Sequence, residues 1–241
     1  MMEALLETRN LNKRFGGIKA VSKMDLTLRQ GEILGLIGPN GAGKTTFFNL
    51  ISGFLRPDSG SIFFQGEEIT RMKAHEICRK GIARTFQLVK PFSKMTVLKN
   101  VQVSALSKSE SLKQAESIAL ETLDFLNFLP FKEKIAGELP VGYLKLLEVA
   151  KALATRPKLL LLDEPIAGLN PSEVTRFVEV VRKIQKMGIT IFLVEHVMRF
   201  IMPVCDRLVV MHYGEKIAEG PPAQISKDPT VIQAYLGVSY A

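Results

Sequence analysis

The 241-residue chain has no tryptophan and two cysteines, and aromatic residues make up only 7% of it. Cys78 and Cys205, with no Cys-x-x-Cys pair, are too few for a disulfide scaffold or a thiolate metal cluster. They read as small buried hydrophobes in a reducing compartment. No apolar run approaches the roughly 20 residues a spanning helix needs. The richest stretches, 159–162 and 189–194, are strand-length and bounded by charge. The first ten residues, MMEALLETRN, lack an apolar signal core, so a cytoplasmic chain is expected. What is present is a hydrophobic content of 46%, which excludes a disordered chain, and a length suited to one sizeable domain or a domain with an insert. The net charge of +8 is a modest basic excess. It serves solubility or an anionic partner, and does not choose between them.

Short apolar runs alternate with longer helical stretches. Strands are expected at 32–37, 61–65, 82–86, 159–162, 189–195 and 207–212. Several are almost continuously apolar, as in strands covered on both faces, so an α/β fold with a mostly parallel sheet is predicted. The stretch to about residue 27 reads as short β-strands and turns punctuated by Gly16-Gly17, and residues 207–218 as a hairpin turned at 212–215. From 95 to 155 almost no strand signal exists. Leu112, Ala115, Ile118, Ala119, Leu123, Leu126 and Phe128 follow near-helical spacing. One domain, 1–241, with a helical subdomain at 88–155 is expected.

The strongest motif is GPNGAGKTT, residues 38–46. It satisfies G-x-x-x-x-G-K-[ST] through Gly38, Gly43, Lys44 and Thr45, between the strand-like EILGLI and a helical run. In such a loop the backbone N–H groups around Asn40, Gly41, Ala42 and Thr46 cradle phosphate oxygens at a helix N-terminus. Lys44 supplies a point charge for the β- and γ-phosphates, and Thr45 a hydroxyl for Mg²⁺. A second element, LLLLDEP at 159–165, ends an apolar strand in two carboxylates. Asp163 suits a direct or water-bridged Mg²⁺ ligand, and Glu164 a general base or water-orienting residue. Together the two motifs predict an NTPase. The one Asn-Lys pair, Asn12-Lys13, is followed by no Asp, which favours ATP over GTP.

Three further stretches, RTFQ (84–87), LPVGYLKLLEVAKAL (139–153) and LVEHVM (193–198), stand in order around these motifs. Together the five resemble the ATP-binding subunits of ABC transporters, over essentially the whole chain. RTFQ, AGLNPSE (167–173) and the tail DPTVIQAYLG look most like the branched-chain amino acid uptake group. The resemblance implies a P-loop core with an N-terminal antiparallel β-subdomain and a helical insert. It implies that Phe15 stacks on adenine, that Gln87 reaches Mg²⁺ and reports the γ-phosphate to the insert, and that His196 contacts the γ-phosphate and holds the attacking water. Gly168, Leu169 and Asn170 match a loop that crosses to a second subunit, with Asn170 where the family usually has Asp. His75 and His212 have no such support and are expected at the surface or in packing. The implied partners are a second ATPase subunit, membrane-spanning permease subunits docked near 87–92 and, indirectly, a substrate-binding protein. Nucleic acid is not expected, and the implied location is the cytoplasmic face of the membrane. Alternatives are an ABC ATPase for another cargo, such as lipid export, or one outside transport.

One motif departs from the family. Where the signature reads Leu-Ser-Gly-Gly-Gln, this chain has Leu139-Pro140-Val141-Gly142-Tyr143. Pro140 removes a hydroxyl and a backbone N–H, and a hydrogen bond to a charged group is worth roughly 1.5–3 kcal/mol. Either Pro140 simply opens the signature helix at its first position and Gly142 still serves, or the chain pairs with a different subunit carrying an intact signature. The second reading, a heterodimer, is favoured over a homodimer.

Overall fold

The structure is a computed structural model, in which residues 3–236 are described. It begins with two twelve-residue strands, β1 (Ala4–Phe15) and β2 (Ile18–Arg29), turning at Gly16-Gly17. The short strands expected here are thus two long ones. Buried residues alternate through Met24, Leu26 and Leu28 of β2, and several register shifts carry the pairing through the irregular stretches. Next come β3 (Ile33–Ile37), α1 (Lys44–Ile51), β4 (Ser59–Phe64), β5 (Glu67–Glu68), α2 (Ala74–Lys80) and β6 (Ile82–Arg84). A helical stretch follows, with α3 (Val97–Ala105), α4 (Leu112–Phe125) and α5 (Val141–Leu153). The chain then runs through β7 (Leu159–Asp163), α6 (Pro171–Lys186), β8 (Thr190–Val194), α7 (Met198–Val204), β9 (Arg207–His212), β10 (Glu215–Gly220), α8 (Pro222–Ile225) and α9 (Pro229–Leu236).

Two sheets form. One is antiparallel, in the order β2-β1-β4-β5. The other is ordered β10-β9-β3-β8-β7-β6, parallel except for the edge hairpin β9–β10. Strands β3, β7 and β8 are buried at every residue, which is why they read as continuous apolar runs. Their two faces feed different cores. Ile33, Leu160, Leu162, Ile191, Leu193, Leu208 and Val210 pack with the helices of the 97–153 stretch, α6 and α7. Leu34, Leu36, Leu159, Leu161, Phe192, Val194, Val209 and Met211 pack with Phe47 and Phe48 of α1 and with the antiparallel sheet. The period of two along each strand therefore divides the molecule into layers. The carboxyl ends of the parallel strands converge on one edge, where ligands bind in open α/β sheets. Among the described residues no helix is long and apolar enough to cross a membrane.

Candidate nucleotide site

The loop between β3 and α1 is shaped by its glycines. A Cβ on Gly38 (φ +153°) would lie 2.1 Å from the Met211 carbonyl oxygen, and one on Gly43 (φ +103°) 2.0 Å from that of Ala20. Both positions admit only hydrogen, so the loop lies tight against β9 and β2. The Gly214 N–H donates to the Ala42 carbonyl (3.0 Å) and strengthens that contact from the hairpin turn. The result is a cleft of about 510 Å³ lined by Asn40, Gly41, Ala42, Gly43, Lys44, Thr45 and Thr46, with Glu164 opposite and Ile18 and Tyr213 at the rim. Lys44 is buried, and its ammonium donates to the carbonyls of Gly38 (2.7 Å) and Pro39 (2.9 Å). Burial lowers its pKa from the ordinary lysine value, while Glu164 and Asp163 pull the other way. A buried cation beside the N–H groups that open α1 fits an anionic ligand.

A second cleft, about 780 Å³, adjoins the first through Thr45 and is also lined by Gln87 and Asp163. The three residues expected to hold a metal thus share one cavity, with hydroxyl, amide and carboxylate oxygens of the kind Mg²⁺ takes. Asp163 ends β7 fully buried, and its charge is met by Arg84, whose Nη2 donates to Oδ2 at 2.7 Å. Arg84 is itself held by Asn49 (2.7 Å) and Ser52 (2.9 Å) and lies over the rings of Phe48, Phe54 and Phe86. Sequence reading quoted Arg84 without giving it a role.

Glu164 is half-buried and adopts φ +44°, the left-handed region that side chains other than glycine seldom occupy. Its N–H donates to Val194 (3.0 Å), and its Oε2 accepts from Gln87 Nε2 at 2.6 Å. The Gln87 amide thus engages the carboxylate. Lys145 was missed altogether. It is buried on α5, and its ammonium donates to the carbonyls of Gln87 (3.0 Å) and Glu164 (3.2 Å). A lysine inside a helical run reads as a solvated face, and nothing local marks it as inward. His196 is exposed and lines neither cleft. Its N–H donates to Glu195 (3.1 Å), a buried carboxylate that also accepts from the Ile166 N–H (3.3 Å). Burial raises the Glu195 pKa against those hydrogen bonds. Phe15 is 48% exposed at the end of the β1–β2 hairpin, opposite Ile18. His75 is exposed, and His212 packs on Tyr213.

The signature residues stand apart from both clefts. Pro140 is the residue before α5, not its first helical residue, and it makes no side-chain cap. Leu139 is buried and Val141 exposed. A Cβ on Gly142 would meet the Glu173 carboxylate at 2.4 Å, so α5 begins hard against α6. Tyr143 stacks on Phe128 (interplanar angle 5°) and packs on Phe131, so its ring belongs to the aromatic packing of the helical stretch. Asn170 caps α6 in a capping box with Glu173, accepting from the Glu173 N–H at 3.0 Å. Cys205 is buried as expected. Cys78 is only half-buried and lines the larger cleft, which corrects the reading that both are buried.

Phosphate loop, strand-end carboxylates and glutamine in this arrangement coincide with a match of the ABC transporter family over residues 21–167. The chain belongs to the ABC transporter family. The ABC match covers the phosphate loop, Gln87, the signature region and Asp163-Glu164, and residues 215–241 match a second family, the branched-chain amino acid ATP-binding cassette transporters. The chain is similar to the high-affinity branched-chain amino acid transport ATP-binding protein BraF of Pseudomonas aeruginosa, at 39% identity over 98% of this chain and 99% of that one. It is also similar to the probable branched-chain amino acid transport ATP-binding protein LivG of Archaeoglobus fulgidus, at 43% identity over 97% and 95%. Among solved structures it resembles the ADP conformation of an ATP-binding cassette of an ABC transporter. There the TM-score is 0.90 at 34% identity, covering 98% of this chain and 99% of that chain. An ABC ATP-binding cassette binds nucleotide.

Proposed function

We propose that the chain is the ATP-hydrolysing subunit of an importer for branched-chain amino acids. The observation that carries the activity is the meeting of Lys44, Thr45, Gln87, Asp163 and Glu164 around two joined clefts. The support for the cargo is the tail, residues 215–241, together with the relatives' own names. Phosphates lie along the N–H groups of residues 40–46 at the start of α1, and Lys44 turns from its carbonyls toward the β- and γ-phosphates. Thr45, Asp163 and Gln87 would hold Mg²⁺, which supplies charge neutralisation at the phosphates. Glu164 accepts a proton from the attacking water, and His196, which lines neither cleft in the single chain, turns in to steady that water beside the γ-phosphate. Phe15 offers its exposed face to adenine.

Within one chain the signature lies away from the phosphate loop, so a complete site takes the signature of a second ATPase subunit. Pro140 offers neither the hydroxyl nor the N–H that an intact signature gives, which favours a partner of different sequence. In that heterodimer one site is complete and the other impaired. Permease subunits dock their cytoplasmic helices in the larger cleft, where Phe54, Phe86 and Leu88 are exposed beside Gln87. In this reading the chain works at the cytoplasmic face of the membrane, served indirectly by a substrate-binding protein. The test has two parts. Glu164→Gln should trap an ATP-bound dimer on a sizing column only when the second ATPase chain is present, and a homodimer would refute the pairing. Vesicles carrying the assembled complex should take up labelled leucine with ATP, and uptake of a different cargo class alone would refute the substrate.

A further inference from the structure

We propose that Lys145 is a positioning residue for hydrolysis: from the signature helix it grips the backbones of Gln87 and Glu164 and so fixes where the Glu164 carboxylate stands. Three segments far apart in sequence meet at this one ammonium. They are α5, the loop after β6 and the turn after β7. The residue is 6% exposed, and both its hydrogen-bond partners are main-chain carbonyls. Taking an ammonium out of water is costly, and an apolar side chain would fill the same volume at no such cost. Burial lowers its pKa, and the carboxylates of Glu195, Glu164, Asp163 and Glu148 offset only part of that cost through their field. The specific return is the hold on the two carbonyls.

That hold matters because Glu164 is strained. A non-glycine residue at φ +44° persists only when its surroundings over-determine it. Val194 accepts from its N–H, Gln87 Nε2 donates to its carboxylate, and Lys145 holds its carbonyl. Because Lys145 also holds the Gln87 carbonyl, the amide and the carboxylate it touches move as one unit with α5. Glu148 and Lys151, further along the same helix, line the larger cleft. A shift of α5 driven from either its signature end or its cleft side therefore reaches Glu164 through Lys145.

The inference rests on Glu164 polarising the water, so Glu164→Gln is run alongside. In the assembled complex with Mg-ATP, Lys145→Met should lower kcat about tenfold or more, the scale of a misplaced catalytic group, with KM moving less than about twofold. In the Glu164→Gln background the same change should alter the residual rate by less than about twofold, since both act through one carboxylate. A second readout needs no turnover. Amide exchange across residues 163–168 should speed up in Lys145→Met, while the interior of β7 stays protected. A wild-type kcat with unchanged exchange, or a raised KM at constant kcat, would overturn the proposal. If Glu164→Gln itself turns over at the wild-type rate, the reading of Glu164 fails, and the exchange experiment still judges the hold. Should Lys145→Met not fold, Lys145→Gln, shorter and uncharged, must show the same pattern at about threefold amplitude. Equality with wild type there sinks the proposal as well.

Discussion

At the scale of single residues, the Mg²⁺-binding carboxylate proposed here is governed by a neighbour that its own motif does not contain. Asp163 and Arg84 form an ion pair at 2.7 Å with side chains 5% and 6% exposed. Removing one member of a buried pair leaves an uncompensated charge, at a cost of about 3–5 kcal/mol. Arg84→Met should therefore lose about 3 kcal/mol in urea unfolding, and Arg84→Met combined with Asp163→Leu should recover most of it. A double variant as unstable as the single would show that Arg84 acts through its packing on Phe48, Phe54 and Phe86. The contrast between these two residues explains what the sequence allowed to be read. Asp163 and Glu164 stand out because charge at the end of an apolar strand is locally anomalous. Arg84 meets its partner 79 residues away, and Lys145 its carbonyls 58 and 19 residues away, with no local anomaly to mark either. The strain at Glu164 is likewise a property of the turn's closure against Val194, and no residue type signals it.

Among elements, α5 and α6 carry the loops that a partner subunit would meet. Pro140 precedes α5 with φ −56° and ψ 157°, an extended conformation that serine adopts freely. Pro140→Ser gains an N-cap worth about 1 kcal/mol. It also frees the unfolded chain by about 0.4–1 kcal/mol, so the two terms nearly cancel. Thermal stability should hardly move, whereas ATP turnover at the impaired site of the proposed heterodimer should rise. A change in melting temperature without a change in turnover would mean that the proline is merely a helix boundary. In α6 the cap is Asn170. Asn170→Asp should keep stability within about 0.5 kcal/mol, and Asn170→Ala should lose about 1 kcal/mol, both read by chemical denaturation. The strands of the parallel sheet were legible because burial on both faces leaves an almost unbroken apolar run. β1 and β2 were read as short pieces because exposed charged residues such as Arg9, Arg14, Lys23 and Asp25 interrupt their apolar pattern, and only the pairing of one with the other shows each as one strand.

For the whole molecule, the two cysteines report on assembly. Cys205 is buried, and desolvation pushes its thiol up to about 12, so it stays un-ionised and unreactive near neutral pH. Cys78 is half-buried in the larger cleft. A maleimide should add once to the native chain, at Cys78, and assembly with permease subunits should block it. Labelling undiminished in the assembled complex would move the docking surface elsewhere. The tight seat of the phosphate loop also has a consequence for how the protein is made. β3, which leads into that loop, lies between β8 and β9, and the loop itself rests on Met211 and Gly214. A ribosome that has just finished α6 has polymerised every residue of the loop and none of the strands that flank β3. The nascent chain therefore spends most of its synthesis carrying the whole motif before the strands that seat it exist. Nucleotide capture at the loop, as proposed, should then be a late quality mark, expected only when the far end of the chain has emerged.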